Sequence, residues 1–250
     1  MEYPQIDRYA GLTSPIHRWD PRAKLVAILG LIFSVVLITD LKMALVGLAV
    51  AILLVLVSRL PLRFVLRHLA GVSFFILPLS VIILFSYHQG DEIGRFAFLT
   101  VTSGGLEHAS LIAVRAFAAV ILIFPMISTV RFDVTMKALE RLRVPVRLVR
   151  MIMFTYRYIF VLIEEVQRML RALTSRGFTG GMNIRTLITT GKLIGMLFVR
   201  TLERAERVYR AMLSRGYEGN LQTLVEFKMR KTDLLKAAVL IAIAVALNVL

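Results

Sequence analysis

Two arginines stand in the same setting, Ser175-Arg176-Gly177 and Ser214-Arg215-Gly216, 39 residues apart. Arginine carries five donors in a rigid fork that fits a carboxylate bidentately, so the chemistry on offer is recognition of an acidic surface rather than bond making. The spelling extends to Arg171, Ala172, Phe178 and Gly180 in the first copy, and to Arg210, Ala211, Tyr217 and Gly219 in the second. Upstream, Glu164 answers Glu203 and Arg168 answers Arg207. The repeated unit is a long charged helix with a fixed ending, and two copies describe a pair of helices rather than a solenoid. Glycine after a helix takes the left-handed conformation that stops it, which sets Gly177 and Gly216 at two helix ends. Arg176 and Arg215 then occupy the last turn, where the negative end of the helix dipole favours a cation.

Other chemistries find little support. His17, His68, His88 and His108 lie far apart in sequence and form no metal-ligand cluster, and the chain has no cysteine. A phosphate loop and the GxSxG and HExxH signatures are absent. Glu164, Glu165, Glu203 and Glu206 share their helices with Arg168, Arg171, Arg207 and Arg210, a pattern of solvated faces laced with ion pairs. Neither catalysis nor a cofactor or metal site is expected.

The elements that must position the two arginines are set by composition. The chain has 250 residues, 58% of them hydrophobic, well above the roughly 45–50% of soluble domains. It reads as an all-α integral membrane protein of about five transmembrane helices, with a cytoplasmic region of one short and two long helices. Of a formal net charge of +15, most collects between Arg131 and Lys236, where 21 Lys and Arg face 9 Asp and Glu. Cytoplasmic segments carry such an excess, and interleaved membrane segments explain the charge without nucleic acid.

In order, residues 1–24 form a polar cytoplasmic leader with Arg8, Arg18, Arg22 and Lys24, and 25–130 hold four spans. Leu25–Thr39 and Met43–Ser58 flank Asp40 and read as a tight helical hairpin whose short arms Lys24 and Arg59 relieve by snorkelling. Arg59, Arg63, Arg67 and His68 form an inner basic cluster, with Pro61 opening a short helix. A third span, Leu69–Tyr87, is expected to kink at Pro78, and the loop His88–His108 lacks a basic excess, as expected outside. In the fourth span, Ala109–Val130, Arg115 either makes a polar contact within the bundle or with a partner, or snorkels to the headgroups. Residues 131–233 hold a short helix at Asp133–Leu142, ended by Pro145, and long helices at Val146–Arg176 and Ile184–Arg215, apolar first and charged later. Residues 234–250 make a last span, which puts the N-terminus inside and the C-terminus outside.

The twin Ser-Arg-Gly endings resemble the Ala-Arg-Gly-type motifs of the transmembrane T components of energy-coupling factor (ECF) transporters. More narrowly, the chain is similar to the CbiQ branch, the T components of cobalt uptake, at Asp7-Arg-Tyr-Ala10, at Ser14 through Lys24, and at Gly105-Leu106 with Arg115. Thr155 through Glu165 and Arg215-Gly-Tyr-Glu-Gly219 carry the same likeness. It implies a non-enzymatic coupling subunit in the cytoplasmic membrane of a prokaryote, joining two ATP-binding subunits to a membrane substrate-binding subunit. By the same likeness Ser175, Arg176, Gly177, Ser214, Arg215 and Gly216 would dock on the two ATPases, supported by Arg171, Arg210, Tyr156, Arg157, Glu164 and Glu165. Serine stands here where many members have alanine, and both are small. The resemblance implies cobalt or nickel as cargo, with a vitamin (biotin-type) transporter as the alternative. A membrane-embedded enzyme, needing facing reactive groups at similar depth, and a basic protein held by anionic lipid are the competing readings.

Overall fold

The computed structural model describes residues 7, 9–86, 92–96, 99–181, 183–217, 227 and 229–249. Arg8, His88, Asp91, Glu218 and Gly219 lie outside the described residues. The chain divides into two compact units, one of Arg143–Val225 and one of Glu2–Leu142 with Glu226–Leu250.

The larger unit is a helical bundle: α1 (Pro21–Leu37), α2 (Leu41–Ser58), α3 (Leu62–Ser86), α4 (Ser103–Ile127), α5 (Phe132–Arg141) and α8 (Lys231–Val249). Four of these, α2, α3, α4 and α8, are long and apolar enough to cross a membrane. At 17 residues α1 falls just short of a full span, yet it is the best enclosed helix, with Ala27, Ile28, Leu31 and Val35 fully buried. The loop between α3 and α4 carries an antiparallel strand pair, β1 (Glu92–Phe96) and β2 (Leu99–Thr102). Thr102 then caps α4 by accepting from the Gly105 amide at 3.2 Å, which starts that helix six residues before the expected Ala109.

Several local expectations change. The α1–α2 hairpin exists but is not tight. Its arms meet where Gly47 faces Val35, a site where a Cβ would come within 3.1 Å of a Val35 methyl, and then part. Beyond that contact α1 packs along α8 and α4, and α2 packs mainly along α4. Arg63, Arg67 and His68 of the inner basic cluster join the third span in one continuous helix, α3, because Pro61 precedes its first turn and Pro78 is absorbed within it, while Arg59 caps the end of α2. Lys24 does not snorkel. It is fully buried, where its ammonium donates to the Thr129 hydroxyl at 2.6 Å and Thr129 in turn donates to the Pro125 carbonyl. Arg115 sits midway along α4, about 18 Å from its start. It donates to the Val36 carbonyl at 2.9 Å, one of the acceptors left open at the end of α1.

The leader ties the bundle together. The Asp7 carboxylate accepts from the Phe132 amide at the start of α5 (2.9 Å), and the Trp19 indole donates to the Asp233 carbonyl on α8 (3.0 Å). Tyr9 packs on Phe64, which with His68 and Phe124 forms an aromatic cluster joining α3 and α4. His17 anchors the leader to itself: Nε2 lies 3.0 Å from the Tyr9 carbonyl and Nδ1 lies 2.7 Å from the Ser14 hydroxyl. A carbonyl only accepts, so Nε2 carries the proton and Nδ1 accepts from Ser14.

Burial lowers the His17 pKa, the Tyr9 carbonyl raises it, and the Lys24 charge lowers it again, leaving it below the ordinary 6.5. The fold therefore favours the neutral ring, and the stability this gives is present above pH 6.5 and lost as pH falls through the folded value. Hydrogen exchange at Tyr9–Trp19, corrected for intrinsic rates, should quicken on going from about pH 7.5 to about pH 5.5. His17→Gln should reduce that dependence.

Candidate partner-docking helix ends

The smaller unit is built from α6 (Val146–Thr174) and α7 (Ile184–Leu213), long amphipathic helices whose boundaries match the sequence reading. Their endings are alike in every backbone hydrogen bond. Gly177 and Gly216 have φ of 81° and 78°. The Phe178 amide reaches back to the Leu173 carbonyl (3.1 Å) and the Gly177 amide to Thr174 (3.0 Å). In the second copy Tyr217 reaches Met212 and Gly216 reaches Leu213, each at 3.0 Å. Both are Schellman endings. They leave Arg176 and Arg215 exposed and tuck Phe178 and Tyr217 half under the helix end.

The Ser175 and Ser214 hydroxyls donate back to the Ala172 and Arg210 carbonyls at 3.0 Å. Serine in place of alanine thus leaves the outer surface of each tip unchanged. No atom stands within 4 Å of a Cβ built at either glycine, so conformation alone demands glycine there. Gly177→Ala and Gly216→Ala should each cost about 1–2 kcal/mol. They should fray the last turn, seen as faster amide exchange at Phe178 or Tyr217.

The helices meet in the middle. Val161, Leu162, Glu165 and Arg168 of α6 face Arg200, Thr201, Arg204 and Arg207 of α7, each of which lies 39 residues after its counterpart; Glu203 also lines the crossing, without its counterpart Glu164. The duplication thus becomes an approximate two-fold relation, with equivalent positions meeting at the crossing. Arg200 donates to Glu165 at 2.5 Å across the crossing, and Arg168 lies 3.7 Å from the same carboxylate. Glu165 is only 8% exposed, but the cover is thin, consisting of those arginine side chains rather than depth. The Arg200 hydrogen bond chiefly holds its pKa below the ordinary carboxylate value against the opposing pull of desolvation, with the Arg168, Arg200 and Arg204 charges assisting.

Beside the crossing, an apolar groove of about 630 Å³ is lined by Phe154, Tyr158 and Leu162 of α6, by Ala205 and Tyr209 in the second half of α7, and by Tyr217 beyond its end. Early α6 thus pairs with late α7, so the helices run in opposite senses and the two tips lie on opposite sides of the crossing. Eleven residues separate Glu165 from Arg176 and Arg204 from Arg215; the tips stand up to about 35 Å apart.

Of the supporting residues, Glu165 lies at the crossing. Tyr156 packs edge-on against Phe160 within α6 (5.8 Å), and Arg157 and Glu164 are exposed on its outer face. Arg171 and Arg210 are exposed in the last turns, and Arg210 pairs with Glu206 at 3.4 Å. Arg200 was missed by sequence reading. Its repeat partner is the apolar Val161, and that break in the repeat was the available signal. Among the described residues no cluster of three or more His, Asp or Glu is placed to hold a metal.

The model of the CbiQ family, described as cobalt transport protein, matches residues 13–225. The chain belongs to the CbiQ family. Among its curated relatives is the energy-coupling factor transporter transmembrane protein EcfT of Thermanaerovibrio acidaminovorans, 32% identical over 210 residues, covering 80% of this chain and 78% of the relative. EcfT of Bacillus subtilis is 31% identical over 217 residues, covering 82% and 81%. EcfT of Brevibacillus brevis is 30% identical over 212 residues. Membership of the CbiQ family, together with four span-grade helices, makes this a multi-pass membrane protein and a transmembrane component of ECF transport. The match takes in both arginine tips and the second half of the leader.

Proposed function

We propose that this chain is the coupling subunit of an ECF-type importer, docking Arg176 on one cytoplasmic ATPase subunit and Arg215 on the other. The single observation that carries this is the pair of identical helix endings, each presenting one exposed arginine, on opposite sides of a two-fold crossing. Two equivalent plugs suit two equivalent sockets, and a fixed separation suits a dimer of ATPases. Closure of that dimer would move the tips and, through the crossing, a membrane substrate-binding subunit.

A surface for that subunit is available on α7. None of its residues is buried, and Leu187 and Phe198 are 73% and 71% exposed, more apolar area than a free surface helix leaves in water. The N-terminus would lie inside and the C-terminus outside.

Cobalt or nickel is the proposed cargo, carried by the other subunit, on the strength of the CbiQ match. A vitamin transporter is the second reading, favoured by relatives whose name states the ECF role and no metal. Because the chain has no cysteine, Ser175→Cys and Ser214→Cys each give a unique thiol for a photoreactive cross-linker. Each should capture an ATPase subunit in membranes holding the whole transporter, and capture by neither would refute the docking. Uptake of radiolabelled cobalt, nickel and biotin by the same cells would choose the cargo.

A further inference from the structure

A second groove, of about 340 Å³, lies in the bundle unit between the leader, α2 and α8. Pro15 and Trp19 form one wall, Leu53 and Val57 the second, and Val239 and Lys236 the third. Its α2 and α8 walls belong to membrane-spanning helices. It opens at one end of both, since Val57 is in the last turn of α2 and Lys236 in the second turn of α8. Among the lining residues Lys236 alone is charged. A peptide backbone or nucleotide seated there would bury polar groups without partners, so the occupant has an apolar body.

The mouth is cationic. The Lys236 side chain is 44% exposed. Arg18 and Arg59 are exposed and stand within two residues of the wall residues Trp19 and Val57. The described carboxylates nearest these walls in sequence, Asp20 and Asp233, are both engaged. Asp20 is buried and paired with Arg22 at 3.0 Å. Asp233 is 4% exposed and accepts from the Arg230 amide at 3.3 Å, leaving only a 4.0 Å approach to Lys236. The Trp19 wall is fixed, because its indole is bound to the Asp233 carbonyl.

An apolar slot beneath a half-exposed lysine, held only by a 4.0 Å ion pair to Asp233, complements a phosphate carried on a hydrocarbon chain. We propose that this groove binds one anionic phospholipid, with an acyl chain along Trp19, Val57 and Val239 and the phosphate at Lys236. The inference rests on α2 and α8 spanning the membrane and not on the docking of ATPases.

Native mass spectrometry of the full chain in detergent, titrated with phosphatidylglycerol and with phosphatidylcholine of the same acyl chains, tests it. The wild type should retain phosphatidylglycerol preferentially. Lys236→Ala should weaken that preference about fivefold. Val239→Trp, at a 52% exposed position, should fill the slot and lose the lipid, and Leu53→Trp serves if that variant does not fold. Lys42→Glu, at the opposite end of α2, should bind as the wild type does. Equal retention of both lipids by the wild type, an unchanged preference in Lys236→Ala, or full retention by the slot-filling variant would overturn the proposal. So would dimers of the chain in place of lipid-bound monomers, which would assign the groove to a second copy.

Discussion

Replacing Arg176 and Arg215 together by alanine is expected to leave the chain inserted in the membrane, to strip the ATPase subunits from the purified complex and to abolish uptake. The folded chain should tolerate the change, because both side chains are exposed and the Schellman bonds that end the helices are made by the backbone. The loss falls on association. Removing one partner from a desolvated charge pair costs about 2–5 kcal/mol, so two such losses exceed what a complex of ordinary affinity can absorb. Arg→Lys at both tips should give an intermediate result, since lysine keeps the charge but loses the fork. Co-purification and uptake report the outcome. Wild-type values for both in the double alanine variant would dispose of the docking model.

Reversing one charge at the crossing should do the opposite, sparing assembly while impairing transport. Arg200→Glu would set a carboxylate against Glu165, and Glu165→Arg would add a cation among Arg168, Arg200 and Arg204. Either single change should lower uptake several-fold while the ATPase subunits still co-purify, because the tips lie about 17 Å from Glu165 along α6 and about 22 Å from Arg200 along α7. The swapped pair, Glu165→Arg with Arg200→Glu, should recover much of the loss, and a double-mutant cycle separates the pair from its neighbours. Undiminished uptake in both single variants, or no recovery in the swap, would show that the pair does not hold the crossing.

The ends of α6 and α7 were legible because a helix stop is written locally: Ser-Arg-Gly followed by an aromatic specifies the left-handed glycine and the residue that folds back over it. The amphipathic pattern of both helices is equally local. What the helices touch is not. The Asp7–Phe132 and Trp19–Asp233 bonds join residues 125 and 214 positions apart, and no periodicity encodes such a pairing. The same limit hid the Glu165–Arg200 pair, since each residue alone looks like part of a solvated face. Lys24 was misread because a lysine at a span's edge ordinarily reaches for water, whereas Thr129 offers this one an acceptor inside. Arg115 could not be placed from sequence because its acceptor, the Val36 carbonyl on α1, lies 79 positions away.

The equal spacing from crossing to tip on both helices makes the pair a lever with matched arms. A displacement of about 3 Å at each tip turns an arm of about 17 Å by roughly 10°. On the proposed docking, matched arms would give the two ATPase sites the same mechanical advantage, so that neither stroke would be wasted in tilting the pair. The length of that arm is counted in residues, and one inserted residue would swing its arginine about 100° around the helix. The duplication therefore preserves a gear ratio as much as a binding motif.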